Sequence, residues 1–515
     1  MGRVLNMGEV LTLNAHLHPA KVGARDLGRA MTFAEWNERA CRLANALLGL
    51  GLKAGDAVAV LAYNAVEWLE IYAATAKAGL VMVPINFRLV GGEIAYIVGD
   101  SGAKAAIVQD ELVDRVEGIR AGLPIAEANW IVFGRSAPPA GYHAYEAMIA
   151  AASSAEPASR ARPESLWALM YTSGTTGRPK GAMRSHAGHA HLSVATLADL
   201  ELGRDDTGLL VMPMCHANSL FFAGAFAYAG ATCCVYDRKS FDPEHLLRVL
   251  AETRATFTSL VPTHYIMMLG LPERVRAQCN VDSVRRLLIS SAPARKDTKL
   301  AVMEQFRNSK LIEMYGSTEA GWVTLLRPEE QLSRLGSIGR ELMGTGRIRL
   351  LDEAGNEVAD GEVGELYSLT PWSFDGYWNM PDKTAEAFRG EYLSVGDMAR
   401  RDRDGYYHLV DRKKNMIISG GENIYPSEVE NLLGSHPKVK DVAVIGRPDA
   451  KWGETVHAVL VLREGAAASE QEILDWCVDR IAGYKRPRSV EFIADADMPR
   501  TATGKILHRM LKERR

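Results

Sequence analysis

Ten consecutive residues, Thr172-Ser173-Gly174-Thr175-Thr176-Gly177-Arg178-Pro179-Lys180-Gly181, collect glycines, hydroxyls and a lysine in one loop. Backbone amides, side-chain hydroxyls and a cation are what a polyphosphate needs, so the chemistry this loop suits is that of a nucleoside triphosphate. The commonest phosphate loop has Gly-Lys-Ser/Thr opening a helix. Here two residues separate Gly177 from Lys180 and Gly181 follows, so the loop is of another kind. Cheaper signals for other chemistries are missing: there is no H-E-x-x-H, no C-x-x-C pair and no G-x-S-x-G elbow. Gly344-Thr345-Gly346 lacks the third glycine of a dinucleotide fingerprint, and His186, His189 and His191 have no Cys or carboxylate beside them to complete a ligand set.

A loop of this kind must be placed by a sheet. The apolar run 166–171 reads as a buried strand that delivers the loop at a sheet edge. Upstream, 57–63 reads as a strand, 67–78 as a helix and 80–85 as a strand, which is one βαβ unit. Strands at 209–212, 232–236, 256–261 and 286–289 continue the alternation, with helices through 221–228 and from Asp242-Pro243, so parallel sheets covered by helices are expected. After about residue 340 short strands broken by Gly355-Asn356 and Asp404-Gly405 predict an antiparallel β subdomain. Beyond Asp411-Arg412-Lys413-Lys414-Asn415 come a helix near 428–433, strands at 441–445 and 456–462, and a helix from Ser469 with Glu472 completing a capping box. That region reads as a small α+β domain.

Length and charge agree. A chain of 515 residues is too long for one core. Its 47% apolar residues suffice for large ones, and 60 basic against 63 acidic residues leave a net charge of −3, which gives no footing for nucleic acid or an anionic membrane. The six cysteines lie mostly in apolar surroundings, as reduced core thiols do, so a cytoplasmic protein is expected. Residues 1–10 have no continuous apolar core, and no run approaches the roughly 20 residues of a membrane helix, so neither a signal peptide nor membrane attachment is expected.

The ordered TSGTTGxPKG string resembles the signature loop of the adenylate-forming enzymes, the superfamily of acyl-CoA synthetases, peptide-synthetase adenylation domains and firefly luciferase. Further motifs follow in the family's order. Met314-Tyr315-Gly316-Ser317-Thr318-Glu319 is similar to the element whose tyrosine lies against adenine and whose glutamate helps hold Mg²⁺, and Ser290-Ser291-Ala292-Pro293 to the turn that edges the adenine and acyl pockets. His216 matches the residue gating the carboxylate pocket. Asp397 matches the aspartate that receives the ribose hydroxyls, and Arg412 the arginine beside ribose or phosphate. Gly420-Gly421 resembles the loop lining the pantetheine tunnel, and Lys505 the lysine that reaches the carboxylate and α-phosphate. The resemblance implies an α/β fold: a large N-terminal domain, residues 1–413, of two helix-flanked mainly parallel sheets plus a β subdomain, and a small mobile C-terminal domain, residues 414–515, hinged at Lys414.

It also implies two half-reactions on one site. A carboxylic acid and Mg·ATP would give acyl-adenylate and pyrophosphate, with Lys180, Lys505 and the loop hydroxyls spreading charge. A thiol would then displace AMP. Only residues 506–515 follow Lys505, so coenzyme A is the expected thiol. Residues 216–228 contain no acid to anchor an α-amine, and Phe221, Phe222 and Phe226 suggest an apolar acid, fatty or aryl. Two other classes share the motifs: a luciferase-like oxidation of the adenylate, and a non-catalytic acyl or nucleotide sensor, which retention of Lys180, Glu319, Asp397 and Lys505 disfavours. Pro499 and Gly504-Lys505 fit the P-x-x-x-x-G-K pattern that protein acetyltransferases modify in related synthetases, and a homodimer is compatible with the chain.

Overall fold

Alternating apolar runs such as Ala-Val-Ala-Val-Leu at Ala57–Leu61 are buried on both faces, as strands of a helix-covered parallel sheet must be. The computed structural model describes residues 5–134, 137–158, 161–172, 179–290, 294–419, 422–478, 480–500 and 506–514. These fall into two compact units, one of residues 1–347 and 368–393, the other of residues 348–367 and 394–515.

The first unit holds two sheets. A seven-stranded sheet runs, from one edge to the other, His143–Ala144, Trp130–Phe133, Ala105–Gln109, Ala57–Leu61, Val81–Ile85, Leu166–Thr172 and Lys180–Ser185. Its strands are parallel except the last, which turns back antiparallel on Leu166–Thr172 and pairs Lys180 with Thr172. In the nine-stranded sheet Phe257–Leu260, Arg286–Ser290 and Lys310–Ser317 lie side by side and parallel, and Gly321–Leu326 folds back antiparallel on the last of them.

Strand periodicity divides the core. Val58 and Val60 point to a central cluster that also takes Leu288 and Ile312 from the other sheet, with Trp68 and Phe221 from helices between them. Ala57, Ala59 and Leu61 point the other way into a second cluster, and Leu287 and Ile289 into a third. Two sheets therefore share a middle layer of helices, chiefly Phe33–Gly49, Glu67–Ala78 and Ala217–Tyr228. Truncating a core aromatic such as Phe222 to Ala would cost about 3–5 kcal/mol.

The second unit has a four-stranded antiparallel sheet, Arg349–Leu351, Val363–Tyr367, Asp397–Arg401 and Tyr407–Arg412, and a five-stranded sheet built on the long hairpin Val439–Asp449 and Gly453–Leu462. The 413/414 position falls between these sheets, in the short turn Lys413–Asn415. Two local expectations are corrected. Residues 368–393 do not join the β subdomain, because they pack on the first unit. At Ser469 only half the capping box forms: its side chain takes the Glu472 N–H at 3.2 Å, but the Glu472 carboxylate is drawn to Lys438 at 2.7 Å. Among the described residues no helix is long and apolar enough to cross a membrane.

Candidate active site

Lys180 opens the edge strand of the seven-stranded sheet, and Glu319 sits in the turn joining Lys310–Ser317 to Gly321–Leu326 in the other. One chain segment binds both the lysine strand and this turn. Phe374 N–H donates to Glu319 O at 2.7 Å, Thr370 Oγ1 to Ala320 O at 2.9 Å and Trp372 Nε1 to Trp322 O at 3.0 Å. The same segment then pairs with the lysine strand: Asp375 N–H with Met183 O at 2.9 Å, Met183 N–H with Gly376 O at 2.9 Å and Trp378 N–H with Gly181 O at 2.8 Å.

The Glu319 carboxylate is buried and accepts at Oε1 from Thr172 Oγ1 at 3.2 Å and Tyr377 O–H at 2.9 Å. Among the described residues no donor reaches Oε2, which leaves a carboxylate oxygen fit for a hard cation such as Mg²⁺. The Lys180 ammonium stands 3.7 Å from the centroid of the Tyr377 ring. Burial lowers the Lys180 pKa, against the opposing pull of Glu319. Beneath the turn, the buried Arg184 guanidinium donates to Glu319 O at 3.1 Å and Thr318 O at 3.3 Å, and burial brings its pKa down to about 10.

Met314, Tyr315 and Gly316 all lie within the strand Lys310–Ser317. The register shifts between Tyr315 and Gly316, and a Cβ on Gly316 would lie 2.1 Å from Gly321 O. Glycine is therefore required there by the approach of the hairpin's own backbone. His216 caps the helix Ala217–Tyr228 with backbone alone, and its Nε2 is out of solvent with no partner among the described residues. Burial and the neighbouring Arg88 push its pKa down to about 4, so the ring is neutral near pH 7 and suits an uncharged gate, not an acid. Two residues on, Asn218 Nδ2 donates to Ser259 Oγ and Ser290 Oγ, each at 3.0 Å.

His186 and His189 are buried on the helix His186–Leu200, where the His189 ring bonds the Tyr72 hydroxyl and packs on Trp167, while His191 is exposed. Among the described residues no group of three or more His, Cys, Asp or Glu could hold a metal.

In the second unit Asp397 and Arg412 face each other across adjacent strands, with Arg412 Nε 2.9 Å from Asp397 Oδ1. Asp411, one residue before, accepts from Asn415 Nδ2 at 3.1 Å and from Ser427 N–H at 2.9 Å, so it caps the helix Pro426–Gly434 from beyond the Lys414 turn. Ser173, Gly174, Thr175, Thr176, Gly177, Ser291, Ala292, Pro293, Gly420, Gly421 and Lys505 lie outside the described residues.

Three residues at the site escape sequence reasoning: Tyr377, Arg184 and Asn218. For Tyr377 a signal existed, since Gly376-Tyr377-Trp378 with Pro381 and Thr384 is a compact turn, and Thr384 Oγ1 accepts the Tyr377 N–H at 2.8 Å. A lone buried arginine and an asparagine on an apolar helix have no signal apart from their burial.

A model of the AMP-binding enzyme family matches residues 11–378, and one of the AMP-binding enzyme C-terminal domain matches residues 428–505. A feruloyl-CoA synthase of Amycolatopsis sp is 37% identical over 97% of this chain and 97% of its own length. The long-chain-fatty-acid–CoA ligase FadD13 of Mycobacterium tuberculosis is 35% identical over 94% of this chain and 93% of its own. The crystal structure of the anthranilate CoA ligase AuaEII in complex with anthranoyl-AMP superposes with a TM-score of 0.88 at 29% identity, covering 99% of this chain and 97% of that one. The chain belongs to the AMP-binding, adenylate-forming enzymes, and is an acid–thiol ligase that activates a carboxylic acid with ATP and passes the acyl group to coenzyme A.

Proposed function

We propose that the acid is an aryl or arylpropenoic acid whose ring carries a polar substituent. The observation that carries this is the hydrogen-bonded set Asn218, Ser259 and Ser290, placed where the parallel strands Phe257–Leu260 and Arg286–Ser290 end. Ligands of such sheets bind beyond the carboxyl ends of the strands. A saturated chain gives these polar groups nothing to bond, whereas a ring hydroxyl or methoxyl does. Phe221 and Phe222, buried in the same helix, supply apolar surroundings. The names of the feruloyl and anthranilate relatives support the aryl reading; that of FadD13 supports a fatty acid as the second.

In this reading Glu319 holds Mg²⁺, which when bound neutralises triphosphate charge. Lys180 and the loop hydroxyls meet the phosphates, His216 gates the carboxylate, Asp397 and Arg412 bind the ribose, and Gly420 and Gly421 line the path of coenzyme A. Lys505 serves the first half-reaction only, the domains divide at 413/414 with Lys414 as hinge, and acetylation of Lys505 by a protein acetyltransferase would remove its charge and stop adenylation. Six free thiols, five of them buried, suit a reducing, cytoplasmic setting.

A panel of ferulate, cinnamate, benzoates and fatty acids of graded length, read by AMP release with coenzyme A present, tests the substrate. Ferulate should exceed cinnamate about 10-fold in kcat/KM, the worth of one good hydrogen bond, and Asn218→Ala should erase that ratio. Preference for dodecanoate over every aryl acid would replace the reading with the fatty one.

A further inference from the structure

Lys180 and Glu319 carry opposite charges in one partly buried site, yet among the described residues no ion pair joins them. Coulomb attraction in a medium less polar than water would draw such groups together unless something stood between. Tyr377 stands there. Its hydroxyl donates to Glu319 Oε1 at 2.9 Å, and its ring face lies 3.7 Å from Lys180 Nζ.

The tyrosine is itself held rigidly. It is buried, its N–H is tied to Thr384 Oγ1 at 2.8 Å, its ring packs edge-on against Phe374 at 4.8 Å, and its neighbours Gly376 and Trp378 are bonded to the lysine strand. Gly376, at φ 126, cannot be replaced without strain, and an added Cβ would meet Thr384 at 2.8 Å. These restraints hold the ring in the gap between the two charges.

We infer that Tyr377 is a positioning residue that keeps Lys180 and Glu319 apart and aimed. A direct ion pair would use up the carboxylate lone pairs that a metal needs and the N–H donors that a phosphate needs, and nucleotide binding would have to break it. The hydroxyl occupies one carboxylate oxygen and leaves the other. The ring face attracts the ammonium without engaging it in a directional bond, so a phosphate oxygen displaces it readily. This inference rests on the assignment of Glu319 to the metal.

The experiment measures calorimetric ATP binding with and without magnesium, together with the magnesium dependence of acid-dependent ATP–pyrophosphate exchange. Tyr377→Phe keeps the ring and loses the hydroxyl. It should weaken Mg·ATP binding and raise the half-saturating magnesium about 10- to 100-fold, the worth of one hydrogen bond to a charged group, while metal-free ATP binding stays within twofold of wild type. Tyr377→Leu should lose metal-free ATP affinity as well, because Lys180 then collapses onto Glu319. Adding Glu319→Gln to Tyr377→Leu should restore that metal-free affinity, since no carboxylate remains to capture the lysine. A purely packing role predicts otherwise: Tyr377→Phe would match wild type in magnesium dependence, or Glu319→Gln would fail to relieve Tyr377→Leu, and either result overturns the inference. Should Tyr377→Leu fail to fold, Tyr377→Phe alone decides. Glu319→Gln measured alone separates the two assignments. If it leaves magnesium dependence unchanged, the metal assignment falls and this inference with it; if it alters magnesium dependence while Tyr377→Phe does not, only the role of Tyr377 falls.

Discussion

Two pairs of opposite charges are treated in opposite ways in this molecule. In the first unit Lys180 and Glu319 are separated by an aromatic ring, whereas in the second Asp397 and Arg412 touch at 2.9 Å. The difference follows from where each side chain starts. Lys180 comes from the edge strand of one sheet and Glu319 from a turn between two strands of the other, and the segment holding Tyr377 is bonded to both. Asp397 and Arg412 are direct partners on neighbouring antiparallel strands, where side chains on one face stand about 5 Å apart and pair without help. Separated charges are ready for a ligand that brings its own counter-charges. A formed pair is a rigid platform that a ligand joins from outside.

Changes aimed at this contrast should range widely in effect. The largest is expected outside both pairs. Lys505→Ala should slow adenylation at least ~100-fold, about 3 kcal/mol of transition-state charge stabilisation, and leave thioester formation from supplied acyl-adenylate intact. Equal losses in both half-reactions would remove its assigned role. Glu319→Gln, which takes one charge from the separated pair, should raise the magnesium requirement of pyrophosphate exchange by roughly 10- to 100-fold without changing the ranking of acids. A changed ranking would place Glu319 at the acyl pocket instead.

In the formed pair, Asp397→Asn keeps the shape and drops the charge. The KM for ATP should rise about 10-fold with kcat little altered, the pattern of lost ground-state binding. A fall in kcat at unchanged KM would contradict that. Lys414→Pro fixes φ near −65° in the turn Lys413–Asn415. Overall thioester synthesis should fall several-fold while pyrophosphate exchange stays measurable; proportional loss of both, with the fold intact, would put the hinge elsewhere.

The smallest effect concerns pH. Burial holds the pKa of His186 and of His216 at about 4, against roughly 6.5 in an unfolded chain. A depressed histidine is neutral in the fold while the unfolded chain takes up protons, so this stability is fully present above pH 6.5 and is lost as pH falls toward 4. Between pH 7 and 6 each histidine should cost less than ~1 kcal/mol, readable as a lower urea midpoint, and His186→Gln should flatten the slope. A midpoint that rises on acidification would mean the imidazoles are charged in the fold.

Local chemistry carried much of this protein in its sequence. The helix Glu67–Ala78, the strands around 57–61, 81–85 and 286–290, and the βαβ order were legible because apolar period and turn residues act over a few positions. Lys180, Glu319, Asp397 and Arg412 were singled out as candidates by the order of motifs that resemble those of the adenylate-forming enzymes. The strand Lys310–Ser317 includes Gly316-Ser317 because pairing with Gly321–Leu326 overrides their turn propensity.

What the sequence determined by itself is the set of groups and their local supports: a glycine- and hydroxyl-rich segment ending in a lysine, a carboxylate between two strands, an apolar helix after His216. Only the tertiary structure decided that residues 368–393 leave the β subdomain and pack on the first unit, that Tyr377 lies between Lys180 and Glu319, and that Asn218 meets Ser259 and Ser290. The physical reason is range. Hydrophobic period and capping are decided by neighbours a few residues apart, whereas these contacts join positions 41 to 197 residues apart, whose meeting depends on how whole sheets stack.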